Sequence, residues 1–259
     1  MTFSIVAWDP VSKMAGVAAA TKHLAVGATV AHARGGVGAI ATQAQTNPLL
    51  ARQGLDLLES QRKLTNEADH LAPDQILEMV LSKDPDRNKR QIQIVDPQGN
   101  TAAWTGSDCF GWAGHKSFRY FSVAGNLLVD EQVLISMAEA YMVNNGKPLA
   151  ERLLLSLEAA QSAGGDRRGQ QSASVYVTQQ AAYPYLDLRV DHHENPLQQL
   201  RLIYEESQKD YYQGLLKSMP AVPVQYADVQ PLEVETPAIE TANDITPVLV
   251  DLEPTQELL

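Results

Sequence analysis

Threonine at the second position is the residue whose chemistry depends most on its place in the chain. Thr2 has a small side chain, which predicts removal of the initiator methionine and a free α-amine on the threonine. Such an amine has an ordinary pKa of about 7.7–8.0, so part of it is an uncharged base at neutral pH. It could deprotonate the hydroxyl of the same residue, directly or through one water, for nucleophilic attack. The alternative is a frayed terminus, but Thr2 adjoins an apolar run typical of a buried strand.

An acyl-transfer site also needs donors for the developing oxyanion and a group that tunes the amine. Lys22 follows the second predicted strand, and its charge would lower the pKa of a nearby amine; a surface lysine is the alternative. Gln43 and Asn47 belong to a polar cluster that could bind a substrate amide or cap the next helix. Asn126 follows Gly125, and its amide could donate to an oxyanion or lie in an ordinary turn.

The loop from Gly164 to Gly169 combines backbone N–H groups with charged side chains. It carries Asp166, Arg167 and Arg168, and two guanidinium groups could hold a carboxylate or a phosphate of the substrate. The alternative is a tight turn in which Asp166 pairs with an arginine. The loop lacks the Gly-x-x-x-x-Gly-Lys-Ser/Thr pattern, so nucleotide binding is not predicted.

Two other groupings suggest different chemistry. Cys109 and His115 lie six residues apart and could form a cysteine–histidine nucleophile pair, although a lone cysteine is more typical of packing. The segment Asp-His-His-Glu at 191–194 has metal-binding residue types, but adjacent histidines on a strand point to opposite faces. We interpret it as the end of a strand. A single cysteine excludes an internal disulfide and a multi-cysteine zinc site, and we expect no metal and no cofactor.

The elements that position these residues follow from apolar runs and turn signals. Eight strands are predicted, at 3–8, 14–20, 37–41, 91–96, 101–105, 119–124, 172–178 and 186–190. Five helices are predicted, starting at Asn47-Pro48, at Pro73, near 131, near 148 and at Asn195-Pro196. The order has hairpins and no repeated βαβ unit, which indicates an α+β layered fold rather than a doubly wound sheet.

Composition limits the class of partner and the number of domains. The 259 residues contain 31 Asp and Glu against 20 Lys and Arg, for a formal charge of −11, which argues against nucleic acid as the main partner. Residues 220–259 contain eight of the acids, six prolines and no Lys, Arg or Gly. We therefore predict one folded domain over residues 1–219 and a disordered acidic tail over 220–259. No apolar run reaches 18 residues and the amino terminus lacks a basic region, so we expect a cytoplasmic protein with no membrane partner.

Eight motifs occur in order between Thr2 and about Arg201, at 2–7, 21–27, 32–34, 41–44, 47–48, 112–115, 125–126 and 164–173. Together they resemble the domain of unknown function 1028 family, which is similar to the N-terminal-nucleophile hydrolases. The resemblance implies a four-layer αββα sandwich with Thr2 where those enzymes keep their nucleophile. It also implies a backbone oxyanion donor near Gln43, and in proteasome-like relatives a lysine tunes the amine, as Lys22 would here.

These observations favour an amide-bond hydrolase acting on a small, anionic substrate. Thr2 would be the nucleophile, its own amine the base, and groups around Gln43 or Asn126 the oxyanion donors. A cysteine hydrolase centred on Cys109 and His115 is the second hypothesis. A non-catalytic small-ligand binder on the same fold is the third. The expected partners are a small-molecule substrate and further copies of the chain in a homo-oligomer.

Overall fold

The computed structural model describes residues 2–62, 64, 66 and 70–220. Within these residues the chain forms ten strands and seven α-helices. The strands are β1 (Thr2–Asp9), β2 (Met14–Thr21), β3 (Ala31–Arg34), β4 (Gly38–Ala44), β5 (Arg90–Val95), β6 (Thr101–Thr105), β7 (Trp112–Phe118), β8 (Phe121–Leu128), β9 (Ser172–Thr178) and β10 (Pro184–Val190). The helices are α1 (Val26–Thr29), α2 (Pro48–Gln61), α3 (Pro73–Leu81), α4 (Gln132–Val143), α5 (Leu149–Ser162), α6 (Pro196–Ser207) and α7 (Asp210–Ser218). The predicted acidic tail, apart from Pro220, lies outside the described residues.

Strand β1 lies at the centre of a six-stranded antiparallel sheet with the order β10-β9-β2-β1-β8-β7. Phe3 and Ile5 face one apolar cluster, and Val6 and Trp8 face another on the opposite side of the sheet. A strand covered on both faces needs no alternation of polar and apolar residues, which is why its sequence is a continuous apolar run. The predicted hairpin of β1 and β2 is confirmed.

The second sheet has four antiparallel strands in the order β3-β4-β5-β6. In β5, Ile92 and Ile94 belong to an apolar cluster shared with α2 and α3. Gln91 and Gln93 alternate with them and are also fully buried, because their amides bond to groups of the six-stranded sheet. A strand that alternates glutamine with isoleucine normally exposes the glutamine to water. Here both faces are covered and the polar face meets the other sheet.

Three apolar clusters hold these elements together. Helices α4, α5 and α6 share one cluster with the six-stranded sheet, α2 and α3 share one with the four-stranded sheet, and the third joins the two sheets. Close approach of a helix to the first sheet requires glycine: a Cβ at Gly16 would lie 2.6 Å from Cδ1 of Leu153. Full burial of a leucine such as Leu153 contributes about 1.5–3 kcal/mol to folding.

Most predicted elements are confirmed, including the hairpin of β5 and β6 and the Asn47 cap of α2, whose side chain accepts from the backbone N–H of Leu49 at 3.2 Å. The α+β class is confirmed as well, with antiparallel sheets.

Other elements were missing from the sequence prediction or had incorrect boundaries. The sequence prediction lacks α1, β3 and β7, and it begins the strand before α4 at Arg119, whereas β8 begins at Phe121. Strand β7 is an edge strand with exposed His115 and Ser117 among its residues, so its sequence carries little apolar signal.

The last predicted helix was also incorrect in two respects. It divides into α6 and α7, with a break between Ser207 and Asp210. Asn195 stands at the amino-terminal cap of α6, but its side chain makes no capping hydrogen bond. Its backbone N–H donates instead to Nδ1 of His193 at 2.9 Å.

No helix among the described residues is long and apolar enough to cross a membrane. The same part of the chain contains no group of three or more His, Cys, Asp and Glu side chains placed to hold a metal ion.

Candidate active site

Thr2 begins the central strand of the six-stranded sheet and is buried, with 2% of its surface exposed. Its cross-strand neighbours are Thr21 at the end of β2 and Asn126 in β8. The hydroxyl of Thr2 donates to the hydroxyl of Thr21 at 3.1 Å. Because strands fix both neighbours, the Thr2 hydroxyl lies in a rigid polar environment rather than at a frayed end.

The side chain of Gln43, at the end of β4, reaches across from the second sheet to Thr2. Its Nε2 lies 3.4 Å from the carbonyl oxygen of Thr2, and its Oε1 accepts from the hydroxyl of Ser4 at 2.6 Å. The Ser4 hydroxyl also accepts from Nε2 of Gln93 at 2.8 Å. All of these side chains are buried, so each bond replaces water that the protein excludes.

Gln91 connects the two residues that were predicted to serve the oxyanion. Its Oε1 accepts from Nε2 of Gln43 at 2.8 Å and from Nδ2 of Asn126 at 2.9 Å. Its Nε2 lies within 3.0 Å of the carbonyl oxygens of Gly114 and Gly125. The structure therefore brings Thr2, Gln43 and Asn126 together through an amide that carries no charge.

The glycine-rich loop is tied to the end of β2 by Asp166. This buried carboxylate accepts from the backbone N–H of Lys22 at 3.0 Å and from the backbone N–H of Arg168 at 2.7 Å. The backbone N–H of Gln171 donates to the carbonyl oxygen of Thr21 at 2.8 Å. Because Thr21 is the neighbour of Thr2, the loop lies beside the start of β1.

The two arginines of this loop differ in their environment. The guanidinium of Arg168 lies 3.3 Å from Oδ2 of Asp166, and about half of that arginine side chain is exposed. This is the internal pair that the sequence left open as an alternative to substrate binding. Arg167 is exposed.

Lys22 and Asn47 both form hydrogen bonds to residues other than Thr2. The Lys22 ammonium is exposed and donates to the carbonyl oxygen of Gln170 at 3.0 Å. The Asn47 amide caps α2 and donates to Asp84 at 3.0 Å, so it is engaged in holding a helix start. Asp84 in turn pairs with the buried guanidinium of Arg90 at 2.9 Å.

Cys109 and His115 have separate partners. The Cys109 thiol lies 3.5 Å from the carbonyl oxygen of Arg90, and Nδ1 of His115 lies 2.9 Å from the hydroxyl of Thr105. Burial raises the pKa of the Cys109 thiol and lowers the pKa of the His115 imidazole. Both shifts disfavour the thiolate–imidazolium pair that a cysteine nucleophile uses.

Sequence reasoning missed Gln91 and Ser4 as parts of this site and named Thr21 only within a motif. Gln91 lies in a strand that was correctly predicted, but alternation with Ile92 suggests a solvent-facing amide. A signal was nevertheless present, because a second strand, β4, also carries a glutamine after an apolar run. Two such strands in one sheet can pair their amides across the ladder, as Gln43 and Gln91 do.

Together, the fold and the site define an α+β protein with two antiparallel sheets and a buried threonine at the start of a central strand. A family model described as a family of unknown function (DUF1028) matches residues 2–200. The chain belongs to that family, which confirms the resemblance drawn from its motifs.

A crystal structure of a family protein from Silicibacter pomeroyi is similar to this chain, with 33% sequence identity and a TM-score of 0.75. The match covers 85% of this chain and 91% of that one. The Anbu (ancestral beta-subunit) protein from Yersinia bercovieri matches with 11% identity and a TM-score of 0.37, over 86% of this chain and 100% of that one. No curated protein matches the chain in sequence.

Proposed function

We propose that this chain is an N-terminal-nucleophile hydrolase that cleaves the amide bond of a small, anionic substrate, with Thr2 as nucleophile after removal of Met1. The observation that carries the proposal is the position of Thr2. It is a buried threonine at the start of a central strand, with Thr21 and Asn126 as strand neighbours and the Gln43 amide 3.4 Å from its carbonyl oxygen.

The packing of the elements supports the fold that such a mechanism uses. Helices α4 and α5 share a core with the six-stranded sheet, α2 and α3 share one with the four-stranded sheet, and a third core lies between the sheets. We interpret this arrangement as the four-layer αββα sandwich of N-terminal-nucleophile hydrolases. The polar residues around Thr2 come from both sheets, as expected for a site between the two sheets of such a sandwich.

In the proposed reaction the Thr2 α-amine takes the hydroxyl proton, directly or through one water, while the hydroxyl oxygen attacks the amide carbon. The C–N bond then breaks, and the departing amine receives that proton. A water molecule, deprotonated by the same α-amine, hydrolyses the resulting ester and releases the acid and free Thr2. The Thr21 hydroxyl, 3.1 Å from the Thr2 hydroxyl, holds the nucleophile in one orientation.

The negative charge that develops on the attacked oxygen needs a preorganised donor. Asn126 uses one N–H of its amide on Gln91, which leaves a second N–H for an oxyanion. The backbone N–H groups at the end of β4, around Gln43, are the other proposed donors. Gln91 acts as a positioning residue here, since it fixes both amides without touching Thr2 in the bonds described above.

Arg167 and Arg168 support an anionic substrate. Their loop is attached through Asp166 to the end of β2, which pairs with the start of β1. A guanidinium can bind a carboxylate through two parallel hydrogen bonds and so orient the substrate amide toward Thr2.

The test begins with intact mass measurement of the purified protein, because a retained Met1 would block the α-amine and contradict the proposal. Wild type and Thr2→Ala would then be assayed on a library of amides that carry a carboxylate, with the matched neutral amides alongside. We expect hydrolysis by wild type alone. Equal hydrolysis by Thr2→Ala would reject Thr2 as the nucleophile.

A further inference from the structure

A cavity of about 900 Å³ lies at the end of β1 opposite Thr2. Asp9, the last residue of β1, is one of its lining residues, and seven strand steps of about 3.3 Å separate it from Thr2, or about 23 Å in all. This volume lies within the range of about 300–1,000 Å³ typical of small-molecule sites. The cavity is therefore separate from the candidate active site and large enough for a ligand.

Arg152, in the first turn of α5, lines this cavity with a buried guanidinium. Only 7% of the residue is exposed, and its Nε has no hydrogen-bond partner. Among the described residues, Arg152 also forms no ion pair within 4.0 Å, unlike Arg90 and Arg201, which pair with carboxylates. A buried cation without a counter-charge is costly, so this position indicates an anion that the protein itself does not supply.

Tyr141 holds the guanidinium and adds a second donor without a partner. The Arg152 guanidinium carbon lies 4.0 Å from the centre of the Tyr141 ring, which orients the cation by stacking. Tyr141 is 1% exposed and its hydroxyl also lacks a hydrogen-bond partner. Burial raises the pKa of this phenol well above its ordinary value, so it stays protonated and can donate to an anion.

The remaining lining residues give the cavity a positive charge and an apolar wall. Arg119 and Lys147 are also among the lining residues, with the Lys147 ammonium 3.9 Å from the Glu151 carboxylate, and Asp9 is the single carboxylate in the lining. That carboxylate accepts from the N–H groups of Val11 and Ser12 and from the Ser12 hydroxyl, which hold it in the turn after β1. The apolar wall consists of Trp8, Phe118, Tyr120, Phe121 and Met142.

We propose that this cavity binds a small organic oxyanion, a carboxylate or phosphate on an apolar or aromatic body. The anionic group would accept from Arg152 and the Tyr141 hydroxyl, with Lys147 nearby, and the apolar body would lie against the aromatic wall. Pro148, the residue before the first turn of α5, also lines the cavity, and the positive end of this 14-residue helix adds to the attraction. The inference is independent of the proposed hydrolase activity.

The test uses ¹⁹F NMR with 4-(trifluoromethyl)benzoate as the probe and 4-(trifluoromethyl)benzyl alcohol as the neutral control. Wild type should bind the benzoate saturably, at least about tenfold more tightly than the alcohol. The reason is that the carboxylate accepts charge-assisted hydrogen bonds from Arg152, which the neutral alcohol cannot do. Inorganic phosphate should displace the benzoate if the contacts of the anionic group supply most of the binding. Absence of benzoate binding, or equal binding of the alcohol, would overturn the proposal.

Three variants test whether the benzoate binds in this cavity. Arg152→Met removes the charge and keeps an apolar side chain, and it should weaken benzoate binding by about tenfold or more. Arg52→Met, at an exposed arginine of α2, is the matched control and should leave binding unchanged. Lys147→Met, on a half-exposed side chain, should weaken binding by a smaller factor and serves if Arg152→Met fails to fold. Unchanged affinity in a folded Arg152→Met or in Lys147→Met would contradict the proposed site.

Discussion

Gln43 and Asn126 donate to the same atom, Oε1 of Gln91, from two different sheets, at 2.8 and 2.9 Å. Gln43 belongs to the four-stranded sheet and Asn126 to the six-stranded sheet. A single neutral amide thus fixes two groups that flank Thr2, and it does so where the sheets meet. Because Gln91 is fully buried, no water can replace it if it is lost.

We predict that Gln91→Leu lowers the free energy of unfolding by about 2 kcal/mol or more, since it leaves the amides of Gln43 and Asn126 without their acceptor. Urea unfolding monitored by circular dichroism measures the loss. Gln45→Leu is the control, because the Gln45 side chain is exposed and should change stability by about 0.5 kcal/mol at most. Equal stability of the two variants would show that the shared acceptor contributes little.

The nucleophile is tested by changing Thr2 and its amine separately. We expect Thr2→Ser to keep measurable amide hydrolysis, because hydroxyl and amine both survive, and Thr2→Ala to lose about 10³-fold or more in kcat. One uncleaved residue before Thr2 should abolish activity without unfolding, because it converts the amine to an amide. Thr46→Ala, outside the site, is the matched control. Full activity in the extended protein would refute the amine as base.

Arg168→Lys separates substrate binding from structure. The substitution keeps the charge but loses the planar guanidinium, which can form two parallel hydrogen bonds to a carboxylate. We therefore expect KM to rise while kcat changes less. Its pair with Asp166 involves a side chain that is about half exposed, so its contribution to stability should be small. Arg167→Lys, on the exposed neighbour, shows whether both guanidinium groups contribute. An unchanged KM with a clear drop in Tm would assign Arg168 to the structural pair alone.

The fold was largely predictable because its signals are local. Apolar runs, Asn-Pro helix starts and the turn after Val95 each determine a short segment by its own backbone preferences. The missing elements lack such signals: β7 is an edge strand with exposed polar residues, and α1 is only four residues long.

The site was predictable only in part, because its geometry depends on contacts between distant segments. Thr2 and Asn126 were both selected from local features, yet their pairing across β1 and β8 joins residues more than 120 positions apart. Gln91 was not selected, because its burial arises from the packing of one sheet on the other, and the signal in the sequence is limited to the second glutamine in the neighbouring strand β4. The Asp166 contact with Lys22 is likewise a tertiary one.

The acidic tail gives a prediction about stability. Residues 220–259 contain eight acids, no Lys or Arg and no glycine, a composition that does not favour a packed core. We propose that truncation after Met219 leaves Tm within a few degrees of the full chain, as measured by calorimetry. It removes the exposed contact between the Tyr183 hydroxyl and the Pro220 carbonyl, which should matter little. A large fall in Tm would show that the tail packs on the domain or on another subunit.

Asp84 should make the start of α2 sensitive to acid. The hydrogen bond from Arg90 lowers the pKa of the Asp84 carboxyl from its ordinary value of 3.8 to about 2, against the opposing effect of burial, and the Asn47 amide adds a second donor. A carboxyl whose pKa is lower in the folded state than in the unfolded state binds fewer protons when folded.

The stabilisation from this carboxylate is therefore complete above about pH 4 and is lost as the pH falls toward about 2. We predict that the free energy of unfolding of wild type falls more steeply across this range than that of Asp84→Asn, which has no carboxyl to titrate. Asp84→Asn should also be less stable at neutral pH, because it removes the nearer of the two carboxylates that pair with the buried Arg90 guanidinium and leaves only Asp86, at 3.6 Å. Asp74→Asn, at an exposed position in the first turn of α3, is the control and should keep the wild-type slope. Urea unfolding at a series of pH values measures both slopes, and parallel curves for wild type and Asp84→Asn would exclude this carboxyl as a source of the acid sensitivity.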